Sequence, residues 1–565
     1  MKFSEFKYTR PNIEEIKKKL SSYISELRNA ASSDLQINII DQINEVRTEF
    51  LTMSKIASIR YTMDTTDKYY EEEQKYFDRS SPVYSELMHE YYSSLITSKF
   101  RDELESRFGK HLLDITSVAV KTMSPEIIDD LIIENNLCRE YRKLLASAKI
   151  MFDGKERNLA GLSPFTSSTD REIRHASSTA KWKFFSDNSD EFDRIYDDLV
   201  KVRDRIARKL GFKNFVELGY ARMNRTDYDS KDVSGFRKLI KDYVVPVVRK
   251  FRNKQRQRLG LEELKYYDEG LLFKSGNASP KGSEKWIIKQ TKKMYEELSP
   301  TTNEFFDFMT ENELMDLHNR SGKATGGYCS FLKKYKSPFI FANFNGTEDD
   351  VRVLTHEAGH AFQLYKSKDF EVPEYISPTL EACEIHSMSM EFLTWPWMDE
   401  IFDGDVNKFK YFHLTRSIYF LPYSVTVDEF QHYIYENPDM TPAARKQYWR
   451  VLENKYIPGK DYDDNDFLQN GGYWQMQRHI YERPFYYIDY CLAEICAYQF
   501  WQKSLDDRGE TLKDYISLCK AGGSKSFLDL VEFANIKSPF EESTLKSLLP
   551  IIENFLNDFD EAKLN

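Results

Sequence analysis

The sequence predicts a mainly α-helical protein that contains one small β-sheet. Apolar residues recur every three to four positions over most of the 565-residue chain, the period that collects them on one face of a helix. Glycine and proline, which interrupt helices, are almost absent between residues 12 and 149. Only Pro338–Phe344 is a run of aromatic and β-branched residues typical of a strand. A hydrophobic content of 41% gives the chain ample core.

The elements divide into two parts. Residues 1–165 are expected to form long helices, with apolar positions such as Ile13, Ile16 and Leu20 at helical spacing. Turn and cap residues cluster between positions 151 and 170, so we place the boundary there and assign residues 166–565 to a second part. Helices resume in that part, and a glycine-rich approach leads to the predicted strand.

A zinc-binding motif follows the strand. His356-Glu-Ala-Gly-His360 places two histidines four residues apart, so that on a helix both can reach one cation, with Glu357 beside them to bind a metal-bound water. Thr347 and Asp350 have the spacing of an N-cap and a capping box, which predicts that the helix begins just before the motif. We therefore predict His356 and His360 as zinc ligands and Glu357 as the catalytic base.

A catalytic zinc takes three protein ligands and keeps one position open, so a third ligand is needed. Glu381, Glu384 and Glu391 lie along one stripe of the next predicted helix, and their neighbours are largely apolar. A buried stripe of carboxylates is costly unless a cation neutralises it, and zinc is a sufficient cation. Spacing alone does not choose between Glu381 and Glu384.

The predicted strand offers a way to bind substrate. An extended peptide can add to the free edge of a strand through backbone hydrogen bonds, whatever its sequence. We expect the strand to lie beside the zinc helix and hold the scissile bond over the metal, with Phe341 and Asn343 as substrate-binding residues. The alternative is that this strand belongs to a small hairpin in the core.

Several separate segments together resemble the thimet oligopeptidase and oligoendopeptidase F family of zinc metallopeptidases. The resemblance is strongest between Gly322 and Gly523 and weaker over the N-terminal helices. It implies a large helical metallopeptidase that binds one zinc ion and has a deep substrate channel between its two helical parts. The matching segments, in chain order, are Gly322–Tyr328, Pro338–Gly346, His356–Gln363, the Glu384-to-Glu391 spacing and His479–Tyr486.

The resemblance also implies roles for individual residues. In the family, the third zinc ligand is a glutamate followed seven residues later by a second one, which fits Glu384 as the ligand and Glu391 as the carboxylate that orients a ligand histidine. It further implies that His479 and Tyr490 steady the oxyanion of the transition state, while Tyr486 and Tyr487 contact the substrate. Between this histidine and these tyrosines stands Glu482-Arg-Pro484 rather than a glycine-rich stretch, as in the oligoendopeptidase F branch.

The expected function is therefore zinc-dependent cleavage of internal bonds in short, unstructured peptides. A zinc exopeptidase of a related helical family and a non-catalytic peptide-binding protein are the alternatives. A net charge of −11 without a clustered basic face argues against nucleic acid as a partner. Six scattered cysteines indicate a reducing compartment, and the sequence has neither a signal-like apolar N-terminus nor a run of about 18 apolar residues. We expect a cytoplasmic protein that does not bind membranes, and the sequence gives no indication of its oligomeric state.

Overall fold

The computed structural model describes residues 1–561 and 564, and it confirms a mainly helical fold. The first five helices pack on one another, and polar side chains begin several of the first six: Asn12 accepts hydrogen bonds from the backbone of Glu14 and Glu15, and Asp67 caps the third helix in the same way. These helices are α1 (Ile13–Asn29), α2 (Ser33–Met63), α3 (Lys68–Ile96), α4 (Arg101–Phe108), α5 (Lys110–Lys121) and α6 (Ile128–Ala146).

A short hairpin follows, formed by β1 (Ile150–Phe152) and β2 (Lys155–Arg157). Asp153 and Gly154 join its strands with φ of 53° and 69°, the left-handed conformation that an Asp-Gly hairpin turn requires. Eight helices come next: α7 (Ser163–Thr166), α8 (Arg171–Asp187), α9 (Ser189–Lys209), α10 (Phe215–Arg222), α11 (Ser230–Leu239), α12 (Val245–Leu259), α13 (Glu284–Leu298) and α14 (Pro300–Glu311).

The predicted strand lies in the middle of a three-stranded sheet. The strands are β3 (Met315–His318), β4 (Tyr328–Leu332) and β5 (Ser337–Phe344), in the order β3-β5-β4. β5 pairs in parallel with β3 and antiparallel with β4. The expectation that this strand has a free edge is therefore wrong, since it has a neighbour on each side. Its almost unbroken burial is typical of a strand covered on both faces.

The two substrate-binding residues expected on β5 serve the fold instead. Phe341 is fully buried and stacks on Tyr328, with ring centroids 4.8 Å apart. The Asn343 side chain donates hydrogen bonds to the carbonyl oxygens of Ala324 and Gly326, at 2.9 and 2.8 Å, and so holds the glycine-rich approach to β4. Burial overturns the assignment of Phe341, whereas Asn343 is half-buried and its two hydrogen bonds favour a structural role over a substrate contact.

The remaining helices carry the zinc motif and the segments that surround it. α16 packs between α15 and α22, and one apolar core extends from α2 through the sheet to these helices. No helix within residues 1–561 is both long enough and apolar enough to cross a lipid bilayer. The helices are α15 (Glu348–Lys366), α16 (Leu380–Leu393), α17 (Met398–Phe402), α18 (Val406–Glu436), α19 (Pro442–Tyr456), α20 (Asp466–Gln469), α21 (Arg478–Glu482), α22 (Tyr487–Asp506), α23 (Arg508–Ala521), α24 (Phe527–Phe533) and α25 (Glu542–Asn557).

The start of α15 agrees with the sequence, but its cap differs. Thr347 occupies the N-cap position, yet its side chain makes no capping bond and donates to Asn345 Oδ1 instead. Asp350 accepts from the backbone N–H groups of Asn345 and Gly346, at 2.9 and 2.7 Å. The predicted capping box is therefore replaced by a carboxylate that fixes the turn between β5 and α15.

Candidate active site

A glycine brings the zinc motif and the glutamate helix together. At Gly359 of α15, an added Cβ would lie 2.6 Å from the carbonyl oxygen of His386 and 2.7 Å from the Cα of Ser387, both in the backbone of α16. Only glycine permits so close a crossing. The position between the two motif histidines is thus where the helices touch, which turns both imidazoles toward α16.

Two imidazoles and one carboxylate converge at this crossing. Glu384 Oε2 lies 3.3 Å from His356 Nε2 and 3.5 Å from His360 Nε2, and the three ligand atoms all lie within 4.8 Å of one another. The Glu384 side chain is 4% exposed, whereas the histidine side chains are 16% and 18% exposed. Two nitrogens and one carboxylate with a partly open face are the donor set of a catalytic zinc site, so the residues present fit that metal.

The electrostatics of the three groups also suit a cation. Burial disfavours a charge on Glu384, but the positive charge on His360 and hydrogen bonds from both histidines outweigh burial and hold the pKa of this carboxyl well below its usual range. Burial likewise disfavours a charge on His356, but its bonds to Glu384 and Glu391 raise its pKa to about 10. A proton on His356 thus stands in for a cation among these carboxylates, and a metal would displace it.

Geometry also separates the two glutamates that spacing left open. Glu381 is fully buried one turn before Glu384, and its side-chain oxygens have no hydrogen-bond partner in the described part of the chain. Burial raises its pKa, although Arg225 partly opposes that shift. Arg225 pairs directly with Asp489, at 2.6 Å. Glu381 therefore belongs to a buried charge cluster behind the site, and the geometry favours Glu384 as the third ligand.

Glu391 contacts a motif histidine on the side away from Glu384. Its Oε1 lies 2.7 Å from His356 Nδ1 and its Oε2 lies 2.7 Å from His413 Nε2. The indole N–H of Trp395 donates to His413 Nδ1 at 3.2 Å, so the proton of His413 lies on Nε2 and is donated to Glu391. A carboxylate that only accepts then leaves the Nε2 lone pair of His356 free for a metal. Sequence reasoning missed His413 and Trp395, which carry no spacing signal.

Glu357 lies where a base for water activation is needed. Glu357 is 7% exposed, and its Oε2 has no hydrogen-bond partner among the described residues. An added Cβ at Gly327, just before β4, would lie 3.5 Å from Glu357 Oε1, so the start of β4 passes over this carboxylate. Burial raises the pKa of Glu357, and the two motif histidines partly offset that shift. A raised pKa brings a carboxylate closer to the range in which it can exchange protons with substrate and water.

The distant histidine and tyrosines gather on the other side of Glu384. Tyr486 donates its hydroxyl to Glu384 Oε1 at 2.7 Å, and its ring lies 4.8 Å from that of Tyr490. The ring of His479 lies 5.6 and 5.8 Å from these two rings. Tyr486, expected only to contact substrate, thus reaches the ligand set directly, whereas no hydrogen bond joins Tyr490 to it. Burial first, and then Arg478, lower the pKa of His479 to about 4, so this imidazole is neutral near pH 7.

Tyr487 takes a different place from the other two tyrosines. Its ring packs against Phe420 and Tyr423 of α18, at 5.3 and 5.7 Å, as well as against His479 at 5.0 Å. These contacts favour a packing role that supports His479 over a direct substrate contact.

Comparison with known proteins identifies the family. Residues 165–549 match the family model described as Peptidase family M3, and residues 3–123 match the Peptidase M3 N-terminal domain. The chain is 21% identical to oligopeptidase PepF of Bacillus subtilis over 99% of its own length and 84% of that protein. It is 23% identical to the oligoendopeptidase F homolog of Borreliella burgdorferi, over 70% of this chain and 65% of that protein.

Among solved structures, one of Pz peptidase A with an inhibitor superimposes with a TM-score of 0.96 at 54% identity, over 99% of this chain and 100% of that one. The fold and the order of the sequence motifs therefore agree with the same family along nearly the whole chain. Because the family model covers more than half of it, the chain belongs to peptidase family M3 and is a metallopeptidase, as its resemblance to the thimet oligopeptidase and oligoendopeptidase F family implied.

Proposed function

We propose that the chain is a zinc-dependent endopeptidase that hydrolyses internal bonds of short, unstructured peptides, with His356, His360 and Glu384 as the ligands of one zinc ion. The observation that carries the proposal is the convergence of these three groups within 4.8 Å, next to a buried carboxylate on the same helix. Bound zinc would supply Lewis acidity, polarising the scissile carbonyl and acidifying water.

The chain's own residues account for the proton transfers and for the oxyanion. Glu357 takes a proton from the attacking water and passes it to the leaving amine. His479 and Tyr490, whose rings lie 5.8 Å apart, offer hydrogen-bond donors to the oxygen that becomes negative, while the Tyr486 hydroxyl is already donated to Glu384. Because His479 is neutral near pH 7, its N–H group can donate a hydrogen bond to the oxyanion without placing a full positive charge in the buried site before the reaction.

The substrate is expected to bind along β4, the true edge of the sheet beside the zinc helix. The N–H of Ile340 donates to Leu314, so the backbone groups of Ile340 point toward β3. Cys329 is paired with Ile340 in the antiparallel register, and its own N–H and C=O therefore point away from β5. A peptide that pairs with these groups uses only its backbone, so this mode of binding is compatible with many peptide sequences.

The main alternative function is cleavage at one terminus of a peptide, and peptides with blocked termini distinguish it from internal cleavage. An acetylated and amidated quenched-fluorescent peptide of about ten residues should be cut internally, because β4 recognises a backbone rather than a terminus. Glu357→Gln should keep stoichiometric zinc by metal analysis and lose cleavage about 10²- to 10⁴-fold. Glu348→Gln, at the start of the same helix, is the matched control and should retain wild-type kcat/KM.

Any of three results would contradict the proposal. Cleavage of free-ended peptides only would indicate an exopeptidase, and retained cleavage by Glu357→Gln would remove this carboxylate from the mechanism. Zinc binding without any cleavage of a peptide pool would indicate the non-catalytic alternative. The described cysteines are all unpaired, as a reducing compartment requires, and we propose that the enzyme acts in the cytoplasm.

A further inference from the structure

Gln477 bridges two side chains, those of Tyr423 and of His479, the histidine of the proposed oxyanion site. Its Nε2 lies 2.9 Å from His479 Nδ1, and its Oε1 accepts a hydrogen bond from the Tyr423 hydroxyl at 2.9 Å. The glutamine is 8% exposed, so water competes little for either bond. Both ends of the amide are thus engaged by side chains, one from α18 and one from α21.

The direction of these bonds determines which nitrogen of His479 carries the proton. With the Tyr423 hydroxyl donating to Oε1, the NH₂ group of Gln477 faces the imidazole, and an NH₂ group can only donate. Nδ1 of His479 must then accept, so the proton of the neutral ring lies on Nε2, at the opposite side of the ring. The low pKa of His479, caused first by burial, keeps the ring in this neutral form.

We propose that Gln477 is a positioning residue for peptide hydrolysis: held by Tyr423, it fixes His479 as the Nε2–H tautomer, so that a hydrogen-bond donor faces the developing oxyanion. The proposal rests on the proposed function, because it assigns a use to the donor. The ring of His479 lies 5.6 Å from that of Tyr486, whose hydroxyl reaches the ligand Glu384. A donor in this place acts on the transition state rather than on substrate binding.

Gln477→Glu inverts the tautomer with almost no change of shape. A carboxylate only accepts, so Nδ1 of His479 must carry the proton and Nε2 of the neutral ring becomes an acceptor. Loss of one oxyanion donor lowers kcat by about 10²- to 10³-fold, and we expect that loss at pH 8 with KM changed less than about threefold. Below the histidine pKa, which the new carboxylate raises, both nitrogens are protonated and kcat should recover toward the wild-type value.

Two further variants separate positioning from folding. Tyr423→Phe keeps the ring packing but frees the amide to rotate, so kcat should fall several-fold at unchanged KM and nearly unchanged melting temperature. Gln257→Glu, on an exposed position of α12, introduces the same charge and should leave kcat and its pH profile as in the wild type.

The tautomer is also read directly, without activity, from the zinc-loaded enzyme with ¹⁵N-labelled histidine, in which a His479→Asn variant identifies the His479 resonances. We expect an unprotonated Nδ1 in the wild type and a protonated Nδ1 in Gln477→Glu. A protonated Nδ1 in the wild type overturns the inference, since the amide would then face the other way. A wild-type pH profile for Gln477→Glu would do the same, whereas an inactive wild type with the expected tautomer would contradict only the proposed function.

Discussion

Gly359→Ala tests whether the close crossing of α15 and α16 creates the metal site. Alanine is favoured over glycine in a helix by about 1 kcal/mol, so propensity alone predicts a more stable protein. The added Cβ would nevertheless lie 2.6 Å from the backbone oxygen of His386, and ordinary contact begins at 3.4 Å. To relieve this steric overlap, the two helices must separate by about 0.8 Å, and overpacking of this kind costs about 1–3 kcal/mol of stability.

The same separation should weaken the metal site more than the fold. Zinc–ligand distances tolerate about 0.2 Å, so a shift of about 0.8 Å moves Glu384 out of range of a metal held by His356 and His360. We expect the melting temperature to fall and the zinc affinity, measured by competition with a chelator, to drop at least about tenfold.

Gly235→Ala is the matched control for this experiment. Gly235 lies in helix α11 and an added Cβ there would meet nothing within 4 Å. This variant should melt at or above the wild-type temperature and bind zinc normally, because only the helix propensity changes. If Gly359→Ala behaved like Gly235→Ala in both measurements, the crossing would not be what holds Glu384 at the histidines.

Three further predictions concern the groups around the metal and the sheet. Glu391→Gln cannot accept from both His356 and His413, so the zinc affinity measured with a chelator should fall about 10- to 100-fold; an unchanged affinity would remove Glu391 from ligand orientation. Burial, and to a smaller extent the charge of Glu391, raises the pKa of Glu494 from 4.5 to about 8. Between pH 4.5 and pH 8 the folded chain therefore binds more protons than the unfolded chain, so the free energy of unfolding falls as the pH rises. Glu494→Gln should therefore melt above the wild type at pH 8 and close to it at pH 5, and an equal gain at both pH values would contradict the titration. Methylation of successive backbone nitrogens of one peptide substrate should lower kcat/KM about tenfold at alternate positions, as pairing along β4 requires; a uniform response would argue against strand addition.

The candidate metal site could largely be proposed from the sequence because its chemistry is local in sequence. Histidines four residues apart share a helix face whatever surrounds them, and the acidic turn at Glu348–Asp350 does begin that helix. Sequence spacing could not distinguish Glu384 from Glu381 as the third ligand, since both lie on one buried stripe of α16. The choice depends on where α15 crosses, and Gly359 marks that crossing only when the partner backbone is known.

The sheet was predicted less well, for a physical reason. Pro338–Phe344 has the composition of a buried strand, but composition does not say how many neighbours a strand has. Its parallel partner, Met315–His318, is four residues long and carries no strong alternation, so nothing in the sequence indicated it. As a result Phe341 and Asn343 were expected at a free edge, whereas the edge strands of the sheet are β3 and β4, of which β4 contacts the helix with the zinc motif.

Three histidines around the site follow one rule, and the partner of each Nδ1 decides its chemistry. A carboxylate, Glu391, contacts Nδ1 of His356, which leaves Nε2 as a lone pair for a metal. N–H donors, the Trp395 indole and the Gln477 amide, contact Nδ1 of His413 and His479, which leaves Nε2 of each as a donor. The proposed ligand and the proposed oxyanion donor therefore differ in the residue behind the ring rather than in the ring itself. Exchange of donor for acceptor at such a position, as in Gln477→Glu, should convert one role toward the other while the imidazole stays where it is.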